Sequence, residues 1–163
     1  RSLVGSEMCI RDRWLSWVNP DNGEVQGRRK SPRHFTEYDA FYELYKIKSY
    51  LKNPNLSINL VLMDMEEYKL LNGWSYDKKR GSTRYDRVPV GIRRIVKFDR
   101  IEDYMQLVPA DLKEDFTVKD FAMAAGVSVE ASRYTLNILN YLEIVKRTGR
   151  VKNGYVYNVT EEF

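Results

Sequence analysis

The chain has 163 residues, 43% of them hydrophobic and 31% charged, with a net charge of +4 and a pI near 9.1. That length suits one or two small domains, and the mild positive charge permits nucleic-acid binding without requiring it. The chain has no run of 18 apolar residues, so a membrane-spanning helix is not expected. A single cysteine and a single histidine exclude an intrachain disulfide and a Cys/His zinc site.

The opening "LVGSEMCIRD" (3–12) fits neither a strand nor an amphipathic helix, and it lacks the apolar run of a secretory signal. It resembles the translation of a transposase-type sequencing adapter, with Arg13 spanning the junction. Residues 1–13 are therefore set aside as non-native, which removes Cys9 and brings the charge to +3. On this reading the natural chain enters at Trp14. It is expected to be the C-terminal fragment of a longer cytoplasmic bacterial protein, read from environmental DNA.

"WLSWV" (14–18), the turn "NPDNG" (19–23) and the basic "EVQGRRKSPR" (24–33) predict a strand, a tight turn and a second strand or extended arm. Residues 34–55 predict a helix, capped by Thr36 with Asp39 and striped by Tyr38, Phe41, Leu44 and Tyr45, which Pro54 ends. "INLVLM" (58–63) is apolar on both faces, as a central strand would be. A hairpin over 72–98 follows, with the basic loop "DKKRGSTR" (77–84), and then a short helix ended by Pro109.

"DMEEYK" (64–69) invites comparison with a metal-dependent nuclease through Asp64, Glu67 and Lys69. On a strand, however, Asp64 and Glu67 point to opposite faces, so no working site is expected here. The sequence contains no phosphate loop, nucleophile elbow or paired-histidine motif, and no metal, cofactor or catalytic residue is assigned.

The C-terminal segment is the most specific. Thr117 with Asp120 opens a helix, Gly126 ends it, and Ser128 caps a second helix. Ala131, Thr135, Ile138, Leu139 and Leu142 share one side of that second helix, and Glu130, Arg133, Asn137 and Asn140 share the other. Two alternating strands, 144–148 and 154–159, flank the basic turn "GRVKN" (149–153). This order resembles winged-helix DNA-binding domains over roughly residues 100–160. It implies base contacts from Ser132, Arg133 and Asn137. It also implies phosphate contacts from Lys146, Arg147, Arg150 and Lys152. A secondary basic surface is expected at Arg28, Arg29, Lys30, Arg33, Lys78, Lys79, Arg80 and Arg84, extending that of the wing.

Taken together, "RRKSPR", "FYELYKI", "NPNLSINLVL", "EEYKLLNGWS" and "KKRGSTRYDR", followed by the winged helix, resemble an uncharacterised bacterial family with a domain of unknown function. The resemblance covers residues 14–160. It implies an upstream half, absent from this chain, with a restriction-endonuclease-like core. The expected fold class is α+β, with a partial αβ (nuclease-like) unit at 14–98 and a winged helix-turn-helix domain at 99–163. The leading expectation is recognition of duplex DNA. One alternative is the DNA-binding end of a nucleic-acid-cleaving enzyme. Another is a protein-interaction module, such as a homodimer, built on the aromatic helix 36–52.

Overall fold

The computed structural model describes residues 10–32, 34–73, 81–152 and 154–160. Helices and strands mix, as expected of an α+β chain. The seven strands are β1 (Ile10–Val18), β2 (Val25–Lys30), β3 (Ile58–Leu70), β4 (Thr83–Phe98), β5 (Phe116–Thr117), β6 (Val145–Val151) and β7 (Gly154–Val159). The α-helices are α1 (Phe41–Leu44), α2 (Val118–Ala125) and α3 (Val129–Tyr141). Tighter 3-10 turns flank α1 at Glu37–Ala40 and Tyr45–Tyr50, and another spans Ile101–Leu107.

The chain forms two compact units, and they do not follow chain order. Residues 36–60 join 96–160 in one unit, and residues 10–35 join 61–95 in the other. The boundary read at 98/99 is one of chain order alone.

The second unit is built on a four-stranded sheet in the order β2-β1-β3-β4. β1 and β2 are antiparallel, joined at the turn 19–24, where the Asn19 and Asn22 side chains accept from the backbone N–H groups of Asp21 and Glu24. β1 and β3 are parallel, with Leu15 opposite Glu67 and Trp17 opposite Lys69. Parallel neighbours need a long crossover, which residues 31–57 supply. Residues 10–13 depart from the expectation of no regular element. Their backbone begins β1 because β3, with Leu62 and Met65 buried, offers a pairing edge that far down.

The first unit holds the apolar core. Phe41, Phe98, Phe116, Phe121, Leu136, Ile138 and Leu139 are fully enclosed there. Phe41 meets Phe98 and Tyr104 edge-on at 6.2 and 6.5 Å, and Phe98 stacks on Tyr104 at 4.3 Å. The Tyr38 hydroxyl donates to the Leu107 carbonyl at 2.9 Å within this core. The expected helix over 34–55 is broken into short pieces. Only α1 has α geometry, and the path leaves helical angles at Ile47 (φ −108°). The segment is rich in tyrosine and includes a β-branched residue, so its helix propensity is modest. Asp39 does cap it, accepting from the Thr36 N–H at 2.8 Å.

Candidate nucleic-acid interface

α2 and α3 are set by three local devices. The Asp120 carboxylate accepts from the Thr117 N–H at 2.8 Å and from its hydroxyl at 2.6 Å. The Thr117 hydroxyl hydrogen bond, followed by that from the backbone, lowers the Asp120 pKa. α2 ends at Gly126 with φ +66°, a left-handed angle that glycine reaches without strain. The Val127 N–H then bonds the Ala122 carbonyl at 3.0 Å, closing the last turn. Ser128 starts α3, its Oγ accepting from the Ala131 N–H at 3.1 Å.

The face that α3 leaves open is narrower than its sequence suggests. Ser132 is fully buried, and its hydroxyl donates to the Ser128 carbonyl at 2.9 Å. It therefore has no atom free for a base edge, and the expectation of a base contact from Ser132 is corrected. Thr135 bonds back to Ala131 in the same way. Arg133 is exposed, beside exposed Val129 and Glu130. Asn137 is half-buried, and its Oδ1 accepts from Lys48 Nζ at 2.9 Å. Lys48 also lies 5.1 Å over the Tyr45 ring and 5.3 Å over that of Tyr141. Tyr134 is flanked by Tyr42 and Tyr45 at 5.0 and 5.4 Å. The segment 41–52 thus covers the flank of α3 that carries Tyr134, Asn137 and Tyr141. Those two tyrosines, seven residues apart on one stripe, were the sequence signal for a second packing face.

The hairpin after α3 carries four basic residues and no acidic one over 145–159. β6 and β7 are antiparallel, and β7 also pairs with β5. The register shifts between Arg147 and Gly149. Residues 147 and 150 of a regular strand would point to opposite faces. The bulge instead sets Arg147 opposite Tyr157 and Arg150 opposite Tyr155, so both arginines share one face. The Arg147 guanidinium lies 4.2 Å from the Tyr155 ring centre, and that of Arg150 lies 5.0 Å from it. Lys146, opposite Asn158, lies on the other face, and Lys152 occupies the tip with φ +51°. The sequence pattern shows the four hairpin cations, and the bulge that sorts them leaves no mark in it.

The expected secondary surface is not one patch. β2 alternates, so Arg28 and Lys30 project to one side of the sheet and Arg29 to the other. Arg28 stacks over Trp14 at 4.5 Å and bonds Glu66 at 3.1 Å, and Arg29 lies 5.4 Å over Trp17. Arg84 is exposed near Glu67. Arg33, Lys78, Lys79 and Arg80 lie outside the described residues.

Glu67 of the E-x-K tripeptide is enclosed by cations rather than open to one. Burial alone would raise its pKa, but the hydrogen bond and charge of Arg87, with the charges of Arg13 and Arg84, hold it below the usual carboxylate range. Among the described residues no three His, Cys, Asp or Glu side chains converge as metal ligands. No helix among them is long and apolar enough to cross a membrane.

Residues 9–99 match a protein family described as a domain of unknown function (DUF8091). The match covers more than half of the chain and stops before α2, so the family likeness read over 14–160 is shown for its first part. Neither the curated proteins nor the solved structures hold a match.

Proposed function

We propose that the chain, which belongs to the DUF8091 family, binds duplex DNA through a winged helix formed by α2, α3 and the β6–β7 hairpin. One observation carries the reading: the β6 bulge lines up Arg147 and Arg150 on one face around Tyr155, next to Lys152 at the tip. Such a basic finger meets phosphates, which supply affinity and register. Arg133, exposed on the first half of α3, is the residue offered to a base edge. Asn137 is assigned to positioning, since its amide oxygen is taken up by Lys48. A protein working on chromosomal DNA would act in the cytoplasm.

Two rival readings have less behind them. Tyr42 and Tyr45 pack edge-on against Tyr134 while staying partly exposed, so this aromatic segment already has a partner within its own unit. Glu67, the carboxylate a nuclease would offer to a metal, is already taken by guanidinium groups.

The test is the salt dependence of duplex binding by the full chain. Each phosphate contact contributes about 0.9 to the slope of log affinity against log salt. Replacing Arg147 and Arg150 together with glutamine should lower that slope by about 2. Arg133→Ala should instead relax sequence preference and leave the slope nearly intact. An unchanged slope in the double variant, or no salt-sensitive binding by the parent chain, would refute the reading.

A further inference from the structure

The four-stranded sheet carries a second concentration of positive charge, in the part of the chain that matches the family. Glu67 sits on the central strand β3 with its side chain only 3% exposed. A carboxylate so placed must be paired. Its Oε2 accepts from Arg87 Nε at 2.9 Å and from Arg13 Nη1 at 3.0 Å. Lys69 Nζ and Arg84 Nε stand 3.9 and 3.8 Å from Oε1. Those separations are too long for hydrogen bonds, so charge alone holds these two cations there and their donors remain unspent.

Even with Arg13 set aside, Lys69, Arg84 and Arg87 surround one negative charge and leave two positive charges uncompensated. Of the neighbouring carboxylates, Glu66 does not offset the surplus. Glu66, next along β3 and so on the opposite face, accepts from Ser16 and Arg28. Asp86 accepts from the Arg87 backbone N–H. Arg29 balances the charge of Asp86 and keeps the surplus at two, because Leu15 stands opposite both Arg29 and Glu67 and so brings them to one face. The cations are reachable, with side chains 30%, 59% and 28% exposed at Lys69, Arg84 and Arg87.

We infer that Lys69, Arg84 and Arg87, braced against Glu67, form a binding site for a phosphate oxyanion. Arginine presents a planar fork that fits two phosphate oxygens, and lysine adds a compact point charge. The surplus of two charges matches a phosphate monoester, which carries about −1.5 to −2 near neutral pH. Glu67 is a positioning residue: it fixes the Arg87 fork from beneath, while Lys69 and Arg84 bring donors that no hydrogen bond among the described residues takes up. The site does not depend on the hairpin and stands or falls apart from it. The ligand's phosphate can come from a small phosphorylated molecule or from the end or backbone of a polynucleotide.

The experiment titrates inorganic phosphate into the full chain and follows the arginine Nε–H signals by NMR. Saturable shifts at Arg84 and Arg87 are expected, and Lys69→Gln or Arg84→Gln should each weaken binding by about tenfold. Both replaced side chains are at least partly exposed, so the sheet should stay folded. Lys119→Gln, at an exposed cation outside both basic clusters, should leave the Arg84 and Arg87 shifts unchanged, which separates the site from a general charge effect. Thymidine octanucleotides with and without a 5′-phosphate then distinguish the sources. Tighter binding of the phosphorylated form identifies a monoester, and equal binding identifies the backbone. Shifts that do not saturate, or an affinity that neither Lys69→Gln nor Arg84→Gln changes, would overturn the assignment.

Discussion

The two units of this chain solve the burial problem in different ways. Among the described residues, every fully enclosed large side chain, from Phe41 and Phe98 to Ile144 and Val145, belongs to the unit made of 36–60 and 96–160. The described part of the other unit has none of them. Its buried positions among those residues are Leu15, Trp17, Leu62 and Met65 together with Ser16, Ser31 and Glu67. One unit is thus held by aromatic and aliphatic packing, and the other by a sheet with a carboxylate and its guanidiniums at the centre. Apolar packing is insensitive to pH and strengthened by excluded salts. A buried ion pair depends on proton concentration and tolerates the loss of a partner badly. The difference therefore predicts different ways to unfold each half.

The largest expected effect comes from the packed unit. Phe41→Ala removes a ring that touches both Phe98 and Tyr104 and should cost about 3–5 kcal/mol. Urea denaturation followed through near-UV tyrosine signals would measure it. For the same reason a chain cut to residues 100–163 should not fold, because Tyr38, Phe41, Leu44 and Leu51 would be missing from its core. A cooperative unfolding transition in that piece would contradict the interleaved division of the units.

The next effect belongs to the sheet. The folded-state pKa of Glu67 lies below its unfolded value. Its contribution to stability is therefore fully present above about pH 4–5 and is lost as pH falls through the depressed folded value. Trp14 and Trp17 both lie in this unit, so tryptophan fluorescence reports on it. Glu67→Gln should flatten the acid limb of that signal while leaving the tyrosine signals of the other unit in place. In the packed unit burial, with the nearby charge of Asp103, pushes the Tyr104 hydroxyl up to about 12. Ultraviolet titration should show that tyrosine ionising well above the ordinary tyrosine range, and stability should decline as pH rises above about 10.

What could be read in advance was whatever depends on near neighbours. The Thr117–Asp120 box, the Gly126 stop, the Ser128 cap and the β1–β2 turn are all written within five or six residues, and the backbone follows them. The misread features depend on distant partners. Periodicity alone puts Asn137 on the open side of α3, because Lys48, 89 positions away, leaves no trace in the pattern of the helix. Ser132 reads as polar and so as outward, yet a hydroxyl that returns its hydrogen bond to the preceding turn is buried at no cost in unpaired groups. The β6 bulge adds one residue to one strand, and only the register of its partner reveals it. Arg28, Arg29 and Lys30 look like a patch when read as a string and are divided between two faces once the strand is pleated.

The smallest effect probes the end of α3, where packing and local geometry disagree. Helix α3 closes by bonding the Ile144 N–H to the Leu139 carbonyl at 3.0 Å and the Glu143 N–H to the Asn140 carbonyl at 3.3 Å. That closure requires a left-handed residue at 143, and Glu143 adopts φ +69°. Glycine meets the same requirement in α2 at Gly126, so the two helices end alike with different residues. A side chain in this region costs about 1–2 kcal/mol in backbone strain. The gain that partly offsets it is the hydrogen bond from Lys52 Nζ to Glu143 at 2.5 Å. Both partners are well exposed, so that pair is a weak counterweight. Full burial of Ile144 is what fixes the turn, since it carries the chain from α3 into β6. Glu143→Gly should therefore stabilise the packed unit by about 0.5–1 kcal/mol after the entropy cost of glycine is counted. Thermal unfolding would show it as a rise in Tm in the tyrosine signals of this unit, with the tryptophan signal of the other unchanged. A fall in Tm would mean that the Lys52 contact outweighs the strain, and that charge contributes more to this unit than its apolar core implies.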